Sequence, residues 1–195
     1  MRIDMRPEFT LDDGRSVGLR PIEPRDEHEV TRFLETLTAE GRMARFHQPV
    51  PVVKPWLVRP LVDVDQVRHV AWMATLDDRC IGEARYVRLR SDPSTAEIAF
   101  AVADDVRRVG LGRLLVETIG VVARADGVGS FVSNVSHGNR GSAGLLTALG
   151  TRFTFGSDAL QGRGPVPPWR GSSEMAHAIV RAHATVRDQF LDAAA

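Results

Sequence analysis

The sequence predicts an α/β fold in which helices flank a mixed central β-sheet and a β-hairpin stands at the N-terminus. The turn dipeptide Asp13-Gly14 separates two short segments of alternating apolar and polar residues, the pattern of a hairpin. Strand patterns then follow one another, and strands alternate with helices in the second half, which is typical of a mixed sheet. A length of 195 residues suits one domain, so we expect residues 1–195 to form a single domain.

The N-terminal part is predicted to contain the hairpin, over residues 9–20, and two helices. The first helix starts at Pro24, because proline suits a first helical turn and acidic residues follow it. Its buried face consists of apolar residues three and four positions apart: Val30, Phe33, Leu34 and Leu37. A second short helix is expected over residues 39–46. The four prolines beyond it, at positions 49, 51, 55 and 60, predict loops and turns.

Three strands are predicted in the middle of the chain. Two of them, over residues 70–75 and 80–89, are joined by a turn at 77–79. The third covers residues 96–102, and its side chains alternate between two faces. One face is apolar and consists of Ile98, Phe100 and Val102. The other combines one carboxylate with small side chains, as a strand lining a cleft does: Glu97, Ala99 and Ala101.

The strongest helical pattern runs from Gly110 to Arg124, where apolar residues recur every three or four positions. Asp126-Gly127 ends it, because glycine adopts the left-handed conformation that closes many helices. Glycine and proline are frequent from Ser157 to Ser173, which predicts a long loop. The other predicted elements are strands over residues 131–135, 152–155 and 174–180, a helix over 139–149 that Gly150 closes, and a short C-terminal helix.

Composition narrows the function classes. Lys+Arg and Asp+Glu are both 25, and this balance argues against broad nucleic-acid binding. Cys80 is the only cysteine, which excludes an internal disulfide, and the six histidines lack metal-ligand spacing, so we expect no metal site. No stretch approaches the roughly 20 apolar residues of a membrane span, and the first residues lack a signal-peptide core. We therefore expect a cytoplasmic protein that binds no membrane.

A glycine-containing segment, Arg107-Arg-Val-Gly-Leu-Gly112, links the third strand to the strongest helix. Such a turn exposes backbone N–H groups at the positive end of the helix dipole, which suits a pyrophosphate. Gly110 and Gly112 let phosphates approach the backbone, and nearby arginines add positive charge. An ordinary strand-to-helix turn is the alternative. The spacing is neither a Walker A sequence nor the Gly-x-Gly-x-x-Gly of dinucleotide folds.

The spacing Arg-x-x-Gly-x-Gly resembles the acetyl-CoA pyrophosphate loop of the GNAT superfamily of N-acetyltransferases. The resemblance runs from about Leu11 to Val180 and includes Ala96-Glu-Ile-Ala-Phe100 before the loop and Asn139 after it. It implies a GNAT fold and an enzyme that transfers an acetyl group from acetyl-CoA to an amine. It also implies direct attack of the amine on the thioester in a ternary complex.

Two further segments resemble the catalytic domain of bacterial Pat-type protein-lysine acetyltransferases. They are residues 11–26 and Gly41-Arg-Met-Ala-Arg-Phe46. This resemblance implies that the acceptor is a lysine ε-amine of a protein. Two alternatives stay open: an enzyme for small-molecule amines, and a GNAT module that binds acetyl-CoA without turnover. The oligomeric state, monomer or dimer, also stays open.

The resemblance assigns roles residue by residue. Glu97 matches the family's general base, a glutamate on the fourth strand; the alternative is a surface carboxylate that pairs with Arg85 or a neighbour. Asn139 matches a residue that contacts the cofactor, although a helix N-cap is the simpler role. Many GNAT enzymes carry a tyrosine acid seven residues later, where this chain has Leu146, so no general acid is assigned. The residues expected to bind the cofactor are Phe100, Ala101, Val102, Arg107, Arg108, Val109, Gly110, Leu111, Gly112, Arg113, Asn139 and Ser142.

Overall fold

The computed structural model describes residues 7–193, whose strands form one eight-stranded sheet. The strands are β1 (Glu8–Thr10), β2 (Ser16–Pro21), β3 (His69–Leu76), β4 (Arg79–Arg88), β5 (Thr95–Val102), β6 (Ser130–Val135), β7 (Arg152–Phe155) and β8 (Leu160–Pro165). The α-helices are α1 (Glu27–Thr36), α2 (Ala39–Phe46), α3 (Pro55–Val62), α4 (Leu111–Ala125), α5 (Arg140–Ala148) and α6 (Ser173–Ala193). Two short 3₁₀ turns, Pro24–Asp26 and Asp104–Val106, precede α1 and α4.

The sheet is mixed, which confirms the predicted fold class. Its strand order is β1-β2-β3-β4-β5-β6-β8-β7. Neighbours from β1 to β5 are antiparallel, β5 and β6 are parallel, and β6, β8 and β7 are again antiparallel. The N-terminal hairpin is confirmed as β1 and β2. None of the helices between residues 7 and 193 combines the length and apolar character that crossing a membrane requires.

The register of β4 and β5 divides the centre of the sheet into two faces. The α1 face consists of Glu83, Arg85, Glu97, Ala99 and Ala101, and the α4 face consists of Gly82, Ala84, Tyr86, Ile98, Phe100 and Val102. Helices α1, α2 and α3 pack over the first, and α4 packs over the second. A side chain at Gly82 would lie 2.9 Å from Leu115, so this glycine lets α4 approach β4 closely.

Helix α3 corrects the loop predicted from the four prolines. Pro55 is its first residue, where the missing N–H costs nothing and the fixed φ is already helical. Pro60 lies near the C-terminal end, and the N–H of Asp63 still bonds to the carbonyl of Arg59 at 2.8 Å. Burial of Val58 and Val62, four positions apart, stabilises the helix.

The C-terminal region differs from the prediction in two places. Strand β8 forms within the predicted loop, because Gly162 lets it pass against Ser133 of β6 where no side chain would fit. The predicted strand at 174–180 is instead part of α6, on which Ile179 and His183 are buried one helical turn apart. A short apolar run is compatible with a strand or a helix, and the four-residue spacing of the buried positions indicates a helix.

Candidate active site

A gap opens in the sheet between β5 and β6. Their pairing covers three positions, Thr95–Glu97 with Ser130–Val132. Beyond them β5 follows β4 as far as Val102, whereas β6 follows β8 as far as Val135. The β5 edge at 98–102 therefore has no partner strand within residues 7–193. Its backbone groups can pair with an extended ligand in the gap.

The segment between β5 and α4 carries a concentration of unpaired backbone donors. The N–H groups of residues 107 to 113 donate no hydrogen bond to any residue that the structure describes. Gly110 is the N-cap of α4 and has φ of 83°, and Arg108 also has a positive φ, 63°. These donors and the positive end of a 15-residue helix favour an anion at this point.

The arginines around this segment differ in their availability. Arg107 forms an ion pair with Asp104, and Arg113 lies 3.4 Å from Glu117 within α4. Arg108 is exposed and forms no ion pair with a residue in the described part of the chain. Its charge is therefore the one most available to a phosphate. Leu111 is buried, so it contributes its N–H and not its side chain.

Three elements meet at Gly112. A Cβ atom on this residue would lie 3.4 Å from Leu145 of α5, 3.8 Å from Val102 and 4.0 Å from the ring of Phe100. Asn139 caps α5, and its Oδ1 accepts a hydrogen bond from the N–H of Ser142 at 3.1 Å. The expected cofactor-binding residues thus lie on both sides of the loop, although Asn139 uses its carbonyl oxygen for the cap.

A gap beside unpaired helix N–H groups suits a ligand with an extended arm and a phosphate. A sequence model of the Acetyltransferase (GNAT) family matches residues 30–151, more than half of the chain. The chain belongs to the GNAT acetyltransferase family. This membership makes it an acetyl-CoA-dependent N-acetyltransferase, as predicted, and the gap and the loop fit that substrate.

Related proteins agree with this membership. The chain is 31% identical to an acetyltransferase of Pseudomonas aeruginosa over 145 residues, which cover 72% of this chain and 77% of that protein. It is 31% identical to acetyltransferase Pat of Mycolicibacterium smegmatis over 141 residues, which cover 70% of this chain but 41% of Pat. The crystal structure of the GNAT domain of S. lividans Pat matches with a TM-score of 0.78 at 25% identity, covering 85% of this chain and 99% of that domain.

Glu97 lies at the closed end of the gap in this GNAT acetyltransferase. It is the last residue of β5 paired with β6, and its carboxylate accepts a hydrogen bond of 3.0 Å from the amide of Asn134. It is exposed rather than partly buried, because the helices leave this end of the α1 face open; Val87, opposite it on β4, is 43% exposed. The alternative of an exposed carboxylate that pairs across the sheet is therefore observed with a neighbour, Asn134, and not with Arg85, whose guanidinium bonds to Glu83.

No tyrosine hydroxyl is available at the gap. Tyr86, the only tyrosine of the chain, lies on the α4 face and donates a 2.6 Å hydrogen bond to Asp126. Burial and that neighbouring carboxylate raise the pKa of Tyr86. Leu146, at the position of the family's acid, is buried and 3% exposed. Between residues 7 and 193, no three His, Cys, Asp or Glu side chains lie close enough to hold a metal ion.

The structure also contains a buried ion cluster that the sequence analysis did not identify. Glu83 accepts a 2.6 Å hydrogen bond from Nε of Arg45 and a 2.8 Å hydrogen bond from Nε of Arg85. Arg85 also donates to the carbonyl of Leu61 at 3.0 Å and to Nε2 of His69 at 3.1 Å. Two charged residues on one face of an apolar strand, Glu83 and Arg85, were the available signal, but their partner on α2 could not be inferred from spacing.

Burial and the neighbouring charges determine the protonation state of each residue in this cluster. Burial works against a charged Glu83, yet the two guanidinium groups hold its pKa below the usual value. Burial, followed by the charge of Arg85, lowers the pKa of His69 to about 4. His69 is therefore neutral at pH 7, which agrees with Nε2 accepting a hydrogen bond.

Proposed function

We propose that this enzyme acetylates the lysine ε-amine of a protein, and that Glu97 is the general base for direct attack on the thioester. A lysine ammonium has a reference pKa of about 10.4, so it must lose a proton before it can act as a nucleophile. The position of Glu97 at the closed end of the gap carries the proposal. An amine that reaches the gap from the open end of the α1 face meets this carboxylate first.

The chain's own groups favour direct transfer over a covalent intermediate. Cys80, the only cysteine, is 2% exposed, and burial raises the pKa of its thiol to about 12. A protonated and buried thiol is a poor nucleophile. Binding both substrates in one complex then supplies much of the rate through proximity.

The departing thiolate needs no tyrosine in this mechanism. The alkyl thiol of cysteine has a reference pKa of about 8.5. A thiolate is therefore stable enough to leave without a protonated side chain, and it can take its proton from water. The unpaired N–H groups on the β5 edge at 98–102 can stabilise negative charge on the thioester oxygen during attack. Phe100 and Val102 then contribute through backbone groups that face the gap, whereas the backbone of Ala101 faces β4, as the bond from Ala103 N–H to Ile81 shows for this register. The loop from Arg107 to Arg113 holds the pyrophosphate.

Two observations favour a protein acceptor over a small amine. One relative named Pat is 31% identical over 70% of this chain, and the GNAT domain of another shares the fold over 85% of it. In addition, Glu97 is exposed beside the uncovered Val87, an open surface that admits a lysine carried by a large partner. A small-molecule acetyltransferase would need walls that enclose its acceptor.

Thiol release from acetyl-CoA, measured with lysine-containing proteins, peptides and small amines, tests both parts of the proposal. Glu97→Gln keeps the size of the side chain but cannot accept the proton, so activity at neutral pH should fall about 10²–10⁴-fold. Activity should recover at high pH, where free amine is abundant. Glu174→Gln, an exposed carboxylate on α6, is the matched control.

Two results would reject this function. Near-full activity of Glu97→Gln at pH 7 would assign the base elsewhere. If small amines were acetylated and proteins and peptides were not, the enzyme would be a small-molecule acetyltransferase. Self-acetylation of side chains is limited to Lys54, the only lysine in the chain, and a blank without acceptor corrects for it.

A further inference from the structure

The buried cluster of Arg45, Glu83, Arg85 and His69, which we call the Glu83 cluster, has an unbalanced charge. Two guanidinium groups face one carboxylate, and the imidazole is neutral, so the cluster carries one net positive charge. The side chains of Arg45, Glu83 and Arg85 are 8%, 1% and 5% exposed, respectively. Solvent therefore screens this charge weakly.

The Glu83 cluster lies on the face of the sheet that also carries Glu97. Arg85 is opposite Ala99, two residues from Glu97 on β5, and Glu83 is opposite Ala101. Diagonal neighbours on adjacent strands are about 7–8 Å apart. The side chains between them are small alanines, so an amine beside Glu97 lies roughly 10 Å from the cluster.

Stability does not account for this arrangement. Burying charged groups costs free energy that their mutual attraction seldom exceeds, and apolar replacements are often as stable. Nη2 of Arg45 is also buried without a hydrogen-bond partner among the described residues, which adds to that cost. The cluster is costly to bury, and it lies on the same face of the sheet as Glu97, where its charge can act on a bound acceptor.

We propose that the Glu83 cluster lowers the pKa of the acceptor amine bound beside Glu97, with Arg45 as the positioning residue that supplies the surplus charge. The inference rests on the proposed location of the acceptor. A positive charge disfavours an ammonium ion nearby and increases the fraction of neutral amine that can attack the thioester. One unit charge about 10 Å away changes a pKa by roughly 0.3 to 1.2 pH units.

Few other charges face the Glu83 cluster from the surrounding elements. Asp65, in the loop before β3, is the one further carboxylate whose charge acts on His69, and it accepts three backbone hydrogen bonds. From α1 the buried residues Val30, Phe33 and Leu34 are apolar. Cys80 stays protonated, because burial raises its thiol pKa to about 12. Asp65 is exposed, so solvent screens its charge. Arg20 and Asp26, which act on Cys80, pair with each other at 2.7 Å and add no net charge. The buried surplus charge is therefore set by Arg45, Glu83 and Arg85.

A thiol placed at position 97 measures this effect without any acceptor. The variant Glu97→Cys puts a titratable group at the exposed position, and the buried Cys80 reacts too slowly to interfere. The rate of alkylation by iodoacetamide against pH gives the pKa of the new thiol. In this background, Arg45→Met and Arg45→Gln remove the surplus charge, whereas Arg45→Lys keeps it.

A double variant tests charge against packing. Arg45→Met combined with Glu83→Gln removes one charge of each sign, so the net charge remains one positive. We expect the thiol pKa to rise by about 0.3 to 1.2 pH units in both neutral variants. It should stay unchanged in Arg45→Lys and in the double variant. Thermal unfolding shows which variants are folded. If Arg45→Met does not fold, the thiol pKa is measured in Arg45→Gln, which also removes the charge.

An unchanged thiol pKa in the folded neutral variants would overturn the inference. A rise that Arg45→Lys shares with Arg45→Met would also overturn it, because the effect would then follow packing and not charge. These outcomes are separate from the proposed function, which fails if Glu97→Gln retains its turnover. As a second readout, the pH profile of single-turnover acetylation of a one-lysine peptide should shift to higher pH with Arg45→Met.

Discussion

Substitutions at Gly112 test whether the first turn of α4 binds the pyrophosphate. Gly112 has ordinary helical geometry, and a Cβ atom there would contact Leu145, Val102 and Phe100 at 3.4–4.0 Å, which are normal packing distances. We therefore expect Gly112→Ala to fold and to bind CoA. Gly112→Gln adds a longer neutral side chain, and Gly112→Glu adds the same length with a negative charge.

The charge term can be estimated from the geometry of the loop. The N–H groups of residues 107 to 113 have no partner among the described residues. A carboxylate on Gly112 would lie within about 5–7 Å of a phosphate bound by them. At that separation, each phosphate charge costs roughly 0.6–3 kcal/mol over the effective dielectric range of a protein surface. For two phosphate charges, the affinity of Gly112→Glu should be about 10-fold to 10⁴-fold below that of Gly112→Gln. An acidic residue in a first helical turn is itself favourable, so the variant should remain folded.

Calorimetric titration of the three variants with CoA measures these differences, and urea unfolding confirms that each is folded. The difference between the Glu and Gln variants should shrink as salt is raised, because screening weakens charge repulsion. Equal affinity of folded Gly112→Glu and Gly112→Gln at low salt would refute the assignment of the pyrophosphate to this loop. Gly110→Ala is a separate control for strain. Its φ of 83° and an Asp12 carboxylate 3.0 Å from the new Cβ should reduce stability by about 1–2 kcal/mol.

Three further predictions concern stability. The pKa of His69 falls from 6.5 to about 4 on folding. The stability that the neutral imidazole contributes is therefore fully present above pH 6.5 and is lost as pH falls through 4. Urea unfolding should show that the wild type loses up to about 3 kcal/mol more free energy of unfolding than His69→Gln does between pH 7 and pH 4. Asp126 accepts hydrogen bonds from Tyr86 and His183, so Asp126→Asn should cost about 1–3 kcal/mol and increase hydrogen exchange in α6, whereas unchanged exchange would show that α6 docks independently of it. Gly162→Ala should destabilise the protein by more than 2 kcal/mol in thermal unfolding, because its methyl group meets Ser133, whereas Gly144→Ala, with open space around it, should stabilise α5.

The sequence predicted those parts of the fold in which local pattern and burial agree. The spacing of apolar residues from Gly110 to Arg124 predicted α4, and the alternation along β5 placed Glu97 on a face with alanines. Asp13-Gly14 predicted the first hairpin, and Asn139 and Gly150 marked the ends of α5. In each case, one short segment contains both the signal and its physical cause.

The remaining features depend on contacts between distant segments. Arg45 and Glu83 are 38 residues apart, and no local pattern shows that α2 carries the partner of a buried glutamate. Strand β8 contains two glycines that local propensity assigns to a loop, and the close approach of Ser133 explains why Gly162 is required. Helix α6 was misread because its buried positions, Ile179 and His183, become informative only when the surface they pack against is known.

The short pairing of β5 with β6 joins two sets of strands, β1 to β5 on one side and β6 to β8 on the other, through three residue pairs. An acetyl-CoA arm that pairs with both edges of the gap would act as an additional rung between the two sets. Binding would then make unfolding more cooperative. It would also raise the melting temperature, by an amount that grows with the logarithm of ligand concentration. Without the ligand, the two sets are joined by only three paired positions, half of the six between β6 and β8. Substrate binding should therefore stiffen the connection between the two halves of the sheet.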